Sequence, residues 1–344
     1  MNHNVLKIYA DKSYLPPGDE YVYLLYPFWG IWLESADDKD KGRFDEFAAL
    51  GRKFFQLTPL LEQADVALLP FGWQPGNTVY LELAHRQSRE AQKYGKKVLV
   101  FFNDDSCEPI ELDNAIIFRT SSYRSKRRDN EFSLPGWSVD FLQQYNGGRL
   151  SIRKKRPVPT VGYCGYVDFI DWNFRSLKKY LLNLTGIRRT EIGPLLRGKA
   201  VRILHNDHRV RLNFVQRSGF SGGCDEATRQ NYVTNIMESD YALVTRGTGN
   251  FSYRLYEVLS CGRIPVFINT DCALPYDHII DWKNYCVWVE SEGMDSLVDK
   301  IIEFHHRISE KEFEEMQRTV RRLYEEWLSP VGFHGNLWRF VRSD

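Results

Sequence analysis

Short apolar runs alternate with stretches of helical period along most of the chain. Residues 5–10 and 21–26 are apolar runs separated by Pro16-Pro17-Gly18, which predicts two early strands with a turn between them. Thr58-Pro59 has the form of a helix N-cap followed by proline in the first turn, leading through Leu60 and Leu61 to a strand over 65–70. Asn77-Thr78 predicts the cap of a helix over 79–94 that Gly95 ends. A buried strand over 98–102 then stops at Asn103-Asp104-Asp105, and 116–118 reads as a further strand. The basic, glycine-containing stretch 121–157 changes composition, and a domain boundary is expected near 150–158. A second series opens with a strand and glycine turn over 161–167. Helical period follows through Phe174, Leu177, Tyr180 and Leu181, then a strand over 200–204. Alternation of this kind predicts parallel sheets in an α/β fold, with ligands outside the carboxyl ends of the strands.

The densest polar pattern lies in 239–276. Tyr241, Leu243 and Val244 suit a buried strand, and Arg246-Gly247-Thr248-Gly249-Asn250 then breaks the apolar run with residues that tolerate a tight turn. A helix is expected from about Ser252, whose hydroxyl can cap free backbone N–H groups. The same N–H groups and the positive end of the helix can hold a phosphate. Cys261-Gly262 ends this helix and 264–268 resumes as a strand. Arg254 and Glu257 stand three apart and share a helix face. An isolated Arg-x-x-Glu is most simply a surface ion pair, but the adjoining glycine loop favours a nucleotide. Arg246 and Arg254 would neutralise a diphosphate through their forked donors, and Glu257 would accept from a ribose diol.

Downstream, a strand near 285–289 precedes an apolar helical face at Leu297, Val298, Ile301 and Ile302. Ser309 to Glu312 has capping-box spacing ahead of a helix through Phe313, Met316, Val320, Leu323 and Trp327. Three other features carry two readings each. Phe28-Trp29-Gly30-Ile31-Trp32-Leu33-Glu34 either lines an acceptor groove or packs in the core. His205-Asn206-Asp207-His208 lacks a third metal ligand at local spacing and is read as loop polarity. Arg217, ahead of a glycine-rich connection, either adds a phosphate contact or belongs to a flexible loop.

At 344 residues, 43% hydrophobic and 26% charged, the chain is long enough for two cores. A formal charge of +1 supplies no basic field for nucleic acid, although Arg124-Ser125-Lys126-Arg127-Arg128 and Arg153-Lys154-Lys155-Arg156 are locally basic. Such runs are read as solvated faces or linkers, with contact to an anionic membrane surface as the alternative. No stretch approaches the roughly 20 apolar residues that span a bilayer. Six cysteines without a C-x-x-C pair fit reduced thiols. A soluble, cytoplasmic protein is expected, and the sequence carries no signal of its oligomeric state.

Several of these residues occur in an order and spacing that resembles the exostosin family of glycosyltransferases: Arg246-Gly247, then Ser252-Tyr253-Arg254-Leu255-Tyr256-Glu257, Gly262, Ile264-Pro265-Val266 and Leu274-Pro275-Tyr276. The resemblance covers mainly 230–285. It implies a GT-B type α/β fold, two Rossmann-like domains with a cleft between them. Residues 1–155 would form the acceptor side, 156–310 would bind the donor, and a C-terminal helix within 311–344 would cross back to the first domain. It implies an inverting transferase taking a nucleotide-sugar, of the UDP class, to a glycan or glycolipid acceptor in surface polysaccharide synthesis. Neither cofactor nor metal is expected. Arg246, Gly247, Gly249, Asn250, Ser252, Arg254, Glu257 and Arg217 would hold the donor, and Asp104, with Glu34 behind it, is the candidate general base. Animal exostosins carry a membrane anchor, so a bacterial-type or viral relative is expected, at most peripheral to the inner membrane. Two competing readings are a non-catalytic nucleotide-sugar-binding partner and a nicotinamide-dependent oxidoreductase. Against the latter, Gly247-Thr248-Gly249-Asn250-Phe251-Ser252 lacks the final glycine of the dinucleotide fingerprint.

Overall fold

The computed structural model describes residues 5–32, 38, 40–168, 192–217 and 225–342. The chain divides into two compact units, each built on a parallel sheet with helices packed against it, so the expected pair of α/β domains is present.

The first unit comprises Met1–Trp137, Ala273–Tyr276 and Glu325–Asp344. Its strands are β1 (Leu6–Tyr9), β2 (Phe55–Thr58), β3 (Val66–Leu68), β4 (Val98–Phe102), β5 (Ala115–Arg119) and β6 (Glu131–Ser133), in the order β2-β1-β3-β4-β5-β6, every neighbouring pair parallel. β4 and β5 are buried along their whole length, which is why β4 and residues 115–118 of β5 read as unbroken apolar runs rather than alternating ones, while Arg119 at the end of β5 is buried against Glu131 at 3.3 Å. The helix Thr78–Lys93 buries Ala84 and Ala91, and Gln87 donates to the Leu68 carbonyl at 3.0 Å. The C-terminal segment completes this core: Phe333 and Phe340 meet Phe118 edge-on with ring centres 5.3 and 4.9 Å away, and the Trp137 indole donates to the Leu328 carbonyl at 2.8 Å. Tyr276 takes a left-handed backbone (φ 55°), at a cost of about 1–2 kcal/mol for a bulky residue. Its ring is held against Trp327 and Phe340, and its hydroxyl donates to the Phe333 carbonyl at 3.2 Å.

The second unit comprises Ser138–Cys272 and Asp277–Tyr324. Its strands are β7 (Thr160–Gly165), β8 (Arg211–Gln216), β9 (Tyr241–Val244), β10 (Ile264–Asn269) and β11 (Val287–Glu290), in the order β11-β10-β9-β7-β8, again parallel at every pair. Val161, Leu243, Val266 and Ile268 share one core with Leu297, Val298 and Ile301 of the helix Leu297–Arg307. The helix Glu310–Leu323 opens with the expected Ser309–Glu312 capping box. Part of the 153–156 basic run is spent inside the unit: Arg153 pairs with the buried Asp240 at 2.7 Å, and Lys155 donates to the Ile308 carbonyl at 2.7 Å.

Three expected elements differ. Residues 21–26 form a turn of 3-10 helix (Tyr23–Leu25) and a short helix (Tyr26–Trp29), with Pro27 in its first turn. The stiff φ of proline suits that first turn and not a strand interior. Thr58 is not a helix cap but the last residue of β2, and only a 3-10 turn (Leu61–Gln63) follows. Residues 200–204 lie inside the helix Ile192–His205, where Arg197, Ala200, Val201 and Leu204 fall on one buried stripe at helical spacing. Five residues, four of them apolar, do not by themselves separate strand from helix. The expected helix through Phe174 and Leu181 and the glycine run after Arg217 lie outside the described residues.

Candidate active site

The order of the second sheet sets the place. From β7 the chain moves outward to β8, then returns to the other side of β7 as β9, so the topological switch falls between β7 and β9. Beyond the carboxyl ends of those two strands lies the crevice where open α/β sheets take their ligands.

Arginines converge on that edge. Arg254, in the first turn of the helix Tyr253–Ser260, donates through Nη2 to the Cys164 carbonyl near the end of β7, at 2.7 Å. Its guanidinium lies 4.1 Å from the ring centre of Tyr163 and 5.1 Å from that of Tyr232, so a planar cation is held between two aromatic rings. Burial pulls its pKa down, but Tyr232, Tyr163 and Glu257 outweigh that and leave it raised. Gly165 makes the approach feasible: a Cβ there would stand 2.9 Å from both Arg254 Nη2 and the Tyr163 hydroxyl.

Arg197, from the helix Ile192–His205, bridges the two strand ends. Nη1 donates to the Tyr166 carbonyl after β7 and Nη2 to the Arg246 carbonyl after β9, both at 3.2 Å. Burial, more than any neighbour, lowers its pKa; Arg254 acts in the same direction and Tyr163 against it. Gly193 lies so close to the loop that a Cβ would be 2.6 Å from the Gly247 carbonyl. Arg246 is buried and donates to the Thr248 carbonyl at 3.0 Å, and Gly247 N–H closes the loop onto the Phe251 carbonyl at 2.7 Å. Several cationic groups are thus fixed at one sheet edge, an arrangement suited to a polyanion such as a diphosphate.

Glu257 is buried one turn along the same helix. One of its oxygens accepts from the Tyr232 hydroxyl, and the other lies 3.9 Å from Arg229. Tyr232 therefore touches both members of the Arg-x-x-Glu pair, and its own pKa is pushed well up, first by burial. The helical spacing does bring Arg254 and Glu257 to one place, through a tyrosine between them.

The other expected site residues are placed differently. Asn250 is fully buried and stitches the loop to the segment after β10: Nδ2 donates to the Thr270 carbonyl at 3.1 Å and Oδ1 accepts from the Thr270 hydroxyl at 2.6 Å. Ser252 occupies the N-cap in extended backbone, but its hydroxyl makes no capping hydrogen bond. Arg217 follows β8, donating to the Cys164 thiol at 3.1 Å and the Thr228 carbonyl at 2.7 Å. Gly249 is buried within the loop. In the first unit Asp104 follows β4 and is exposed, its carboxylate accepting from Ser106 N–H at 2.7 Å, whereas that sheet's own switch lies between β1 and β3. Glu34 lies outside the described residues. Asp207, in the His-Asn-Asp-His stretch, is taken up by Arg209 at 2.6 Å, and that pairing is the first cause of its lowered pKa, about 2. Among the described residues no group of three or more His, Cys, Asp and Glu side chains is placed to hold a metal, and no helix is long and apolar enough to cross a membrane.

Tyr163, Arg197, Arg229 and Tyr232 were not singled out from the sequence. Only the Tyr163-Cys164-Gly165 strand end gave a local signal, since the others reach the site through helices whose packing the pattern does not encode.

Residues 171–303 match the family described as the Exostosin GT47 domain. That segment of the chain is similar to exostosin domains. It is 35% identical to Exostosin-1 of Drosophila melanogaster over 129 residues, 34% of this chain and 17% of that protein. With Exostosin-1a of Danio rerio it shares 27% identity over 189 residues, 52% of this chain and 23% of that protein. These matches thus span less than a quarter of either relative. Among solved structures, WaaG, a glycosyltransferase involved in lipopolysaccharide biosynthesis, aligns with a TM-score of 0.33 at 10% identity, over 89% of this chain and 96% of that one. The matched segment takes in Arg197, Arg217, Tyr232, Arg246, Arg254 and Glu257. Tyr163 and Gly165, which form the other side of Arg254's seat, precede it.

Proposed function

We propose that this chain is a glycosyltransferase whose second unit binds a nucleotide-sugar donor at the β7/β9 switch point. The observation that carries this reading is the convergence of Arg197, Arg246 and Arg254 on the carboxyl ends of those two strands. Departure of the leaving group builds charge on a diphosphate, and fixed guanidiniums stabilise that charge without reorganising. The donor is a UDP-sugar, the displacement inverts the anomeric centre without a metal, and the acceptor is a glycan or glycolipid. Glu257 holds the ribose through the oxygen that faces Arg229 at 3.9 Å, and Asp104 is the candidate base that takes the acceptor proton.

The test presents UDP-, GDP- and CMP-sugars, with NAD beside them, to the purified chain, following thermal stabilisation and donor hydrolysis. Stabilisation by a nucleotide-sugar with turnover is expected. Stabilisation by NAD alone would sink the transferase reading, and binding without turnover across a broad acceptor panel would favour a non-catalytic partner.

Tyr232→Phe is expected to raise the Kd for UDP by about tenfold at unchanged fold, since a hydrogen bond to a charged group contributes about 1.5–3 kcal/mol. Inorganic diphosphate, which has no ribose, should bind as it does to the wild type. Isothermal titration with both ligands separates the two; equal losses would mean that Glu257 does not meet the ribose.

A further inference from the structure

In the first unit the switch point lies between β1 and β3, where the chain departs to opposite sides of the sheet. Beyond each of those two strand ends one contact leads to an aromatic segment. Lys12, three residues past β1, sets its ammonium 5.2 Å from the ring centre of Trp29. Pro70, two residues past β3, accepts from Val22 N–H at 2.8 Å. Both strand ends are thereby tied to the segment 21–32.

Within that segment Tyr21 meets Trp29 and Trp32 edge to face, with ring centres 5.4 and 5.6 Å away. Its hydroxyl lies 3.1 Å from the Trp29 carbonyl and 2.8 Å from that of Gly30, which pins the turn carrying both indoles. Gly30 supplies the φ of 100° that this turn requires. Tyr26 and Pro27 point into the core, whereas Tyr21, Trp29 and Trp32 remain half-exposed, with Ile31 beside them 50% exposed. The aromatic stretch therefore divides between core and surface, and its surface share stands at the place where an open parallel sheet takes a ligand. Asp11, past β1, accepts from Ser13 N–H and the Tyr9 hydroxyl, and Glu20, before Tyr21, accepts from the Tyr26 hydroxyl at 3.4 Å.

We propose that Tyr21, Trp29 and Trp32 form a stacking platform for a pyranose ring of the acceptor glycan. The proposal deepens the transferase reading and rests on it for the word acceptor. A pyranose offers an apolar C–H face, which matches the flat half-exposed rings. Fixing the rings before binding, through the Tyr21 hydroxyl, lowers the ordering cost of association.

The test uses the full chain on an array of defined oligosaccharides, with tryptophan fluorescence titration of the glycans that bind and thermal shift by UDP as a separate measurement. The wild type is expected to bind at least one glycan with a change in tryptophan emission. Trp32→Ala should weaken that binding at least tenfold, and Tyr21→Phe, which keeps the ring, about threefold, both with the wild-type UDP response. Trp29→Phe, which keeps an aromatic ring in the turn, should retain most of the affinity if Trp29→Ala fails to fold. Glycan binding by the wild type that Trp32→Ala and Tyr21→Phe leave unchanged would overturn the platform, as would an array with no bound glycan. Binding to phosphatidylcholine vesicles in place of glycans, lost in Trp32→Ala, would assign the rings to a lipid surface and also overturn it. A wild type that binds glycan but no nucleotide-sugar would remove the transferase reading and leave the platform standing.

Discussion

Arg254→Ala is expected to weaken UDP binding by about a hundredfold, the loss that follows from removing two charge-assisted hydrogen bonds to a phosphate. The same change should lower the unfolding free energy by about 2–4 kcal/mol, because two cation–aromatic contacts and one hydrogen bond disappear together and leave a void between Tyr163 and Tyr232. Arg254→Lys separates the two effects. An ammonium restores the charge but neither the flat stack nor the fork, so lysine should recover little of the binding. Calorimetric titration with UDP and chemical denaturation of the three proteins provide the check. Wild-type affinity in Arg254→Ala would remove the residue from the donor site and leave it as a brace between β7 and its helix.

The second large effect concerns acid stability. His334 is buried in the first unit, stacked 4.1 Å from Phe47, with Trp137, Phe55 and Tyr23 around it. Its Nδ1 faces the Pro330 carbonyl, which can only accept, so the ring is the neutral tautomer protonated at Nδ1. Nε2 is buried without a hydrogen-bond partner among the described residues. Burial pushes the pKa down to about 3 from the ordinary 6.5, with the Pro330 contact working the other way. The folded value is depressed, so the unfolded chain binds the extra proton. The contribution to stability is full above pH 6.5 and is lost progressively as the pH falls from 6.5 to about 3, by about 5 kcal/mol in all. Unfolding free energies of wild type and His334→Phe at pH 7, 6, 5 and 4 test this. The wild type should lose about 1.4 kcal/mol more per pH unit than the variant below pH 6; parallel slopes would refute a buried neutral histidine.

Much of the second unit was legible because its signals are local. The break at Arg246-Gly247, the helix beginning after Ser252, the left-handed Gly262 (φ 63°) and the apolar strand after it all follow from neighbours in sequence. The Arg254–Glu257 pair was legible for the same reason, since helical spacing fixes a shared face. What completes the site is non-local. Arg197 reaches Arg246 across 49 positions, and Arg254 reaches Cys164 across 90. No pattern within one segment encodes such a meeting. Misread elements were of another kind: 200–204 and 21–26 are apolar runs too short for their period to show. Asn250 illustrates a third limit, for a polar residue in a loop reads as a ligand contact when its amide is in fact spent on Thr270.

The threading of the first unit bears on how the chain acquires its shape during synthesis. Phe333, His334, Leu337 and Phe340 belong to the core around Phe118 and Trp137, and Tyr276 inserts among them. A ribosome delivers residues from the N-terminus, and domains that are contiguous fold as they emerge. Here the first unit must wait for residues of 325–342, made after the second sheet, whereas the second unit has its whole sheet once Glu290 has left the exit tunnel. Nascent chains halted near residue 150 would therefore expose β4 and β5, strands buried along their whole length in the finished unit, and are the stage at which chaperone capture or aggregation should be greatest.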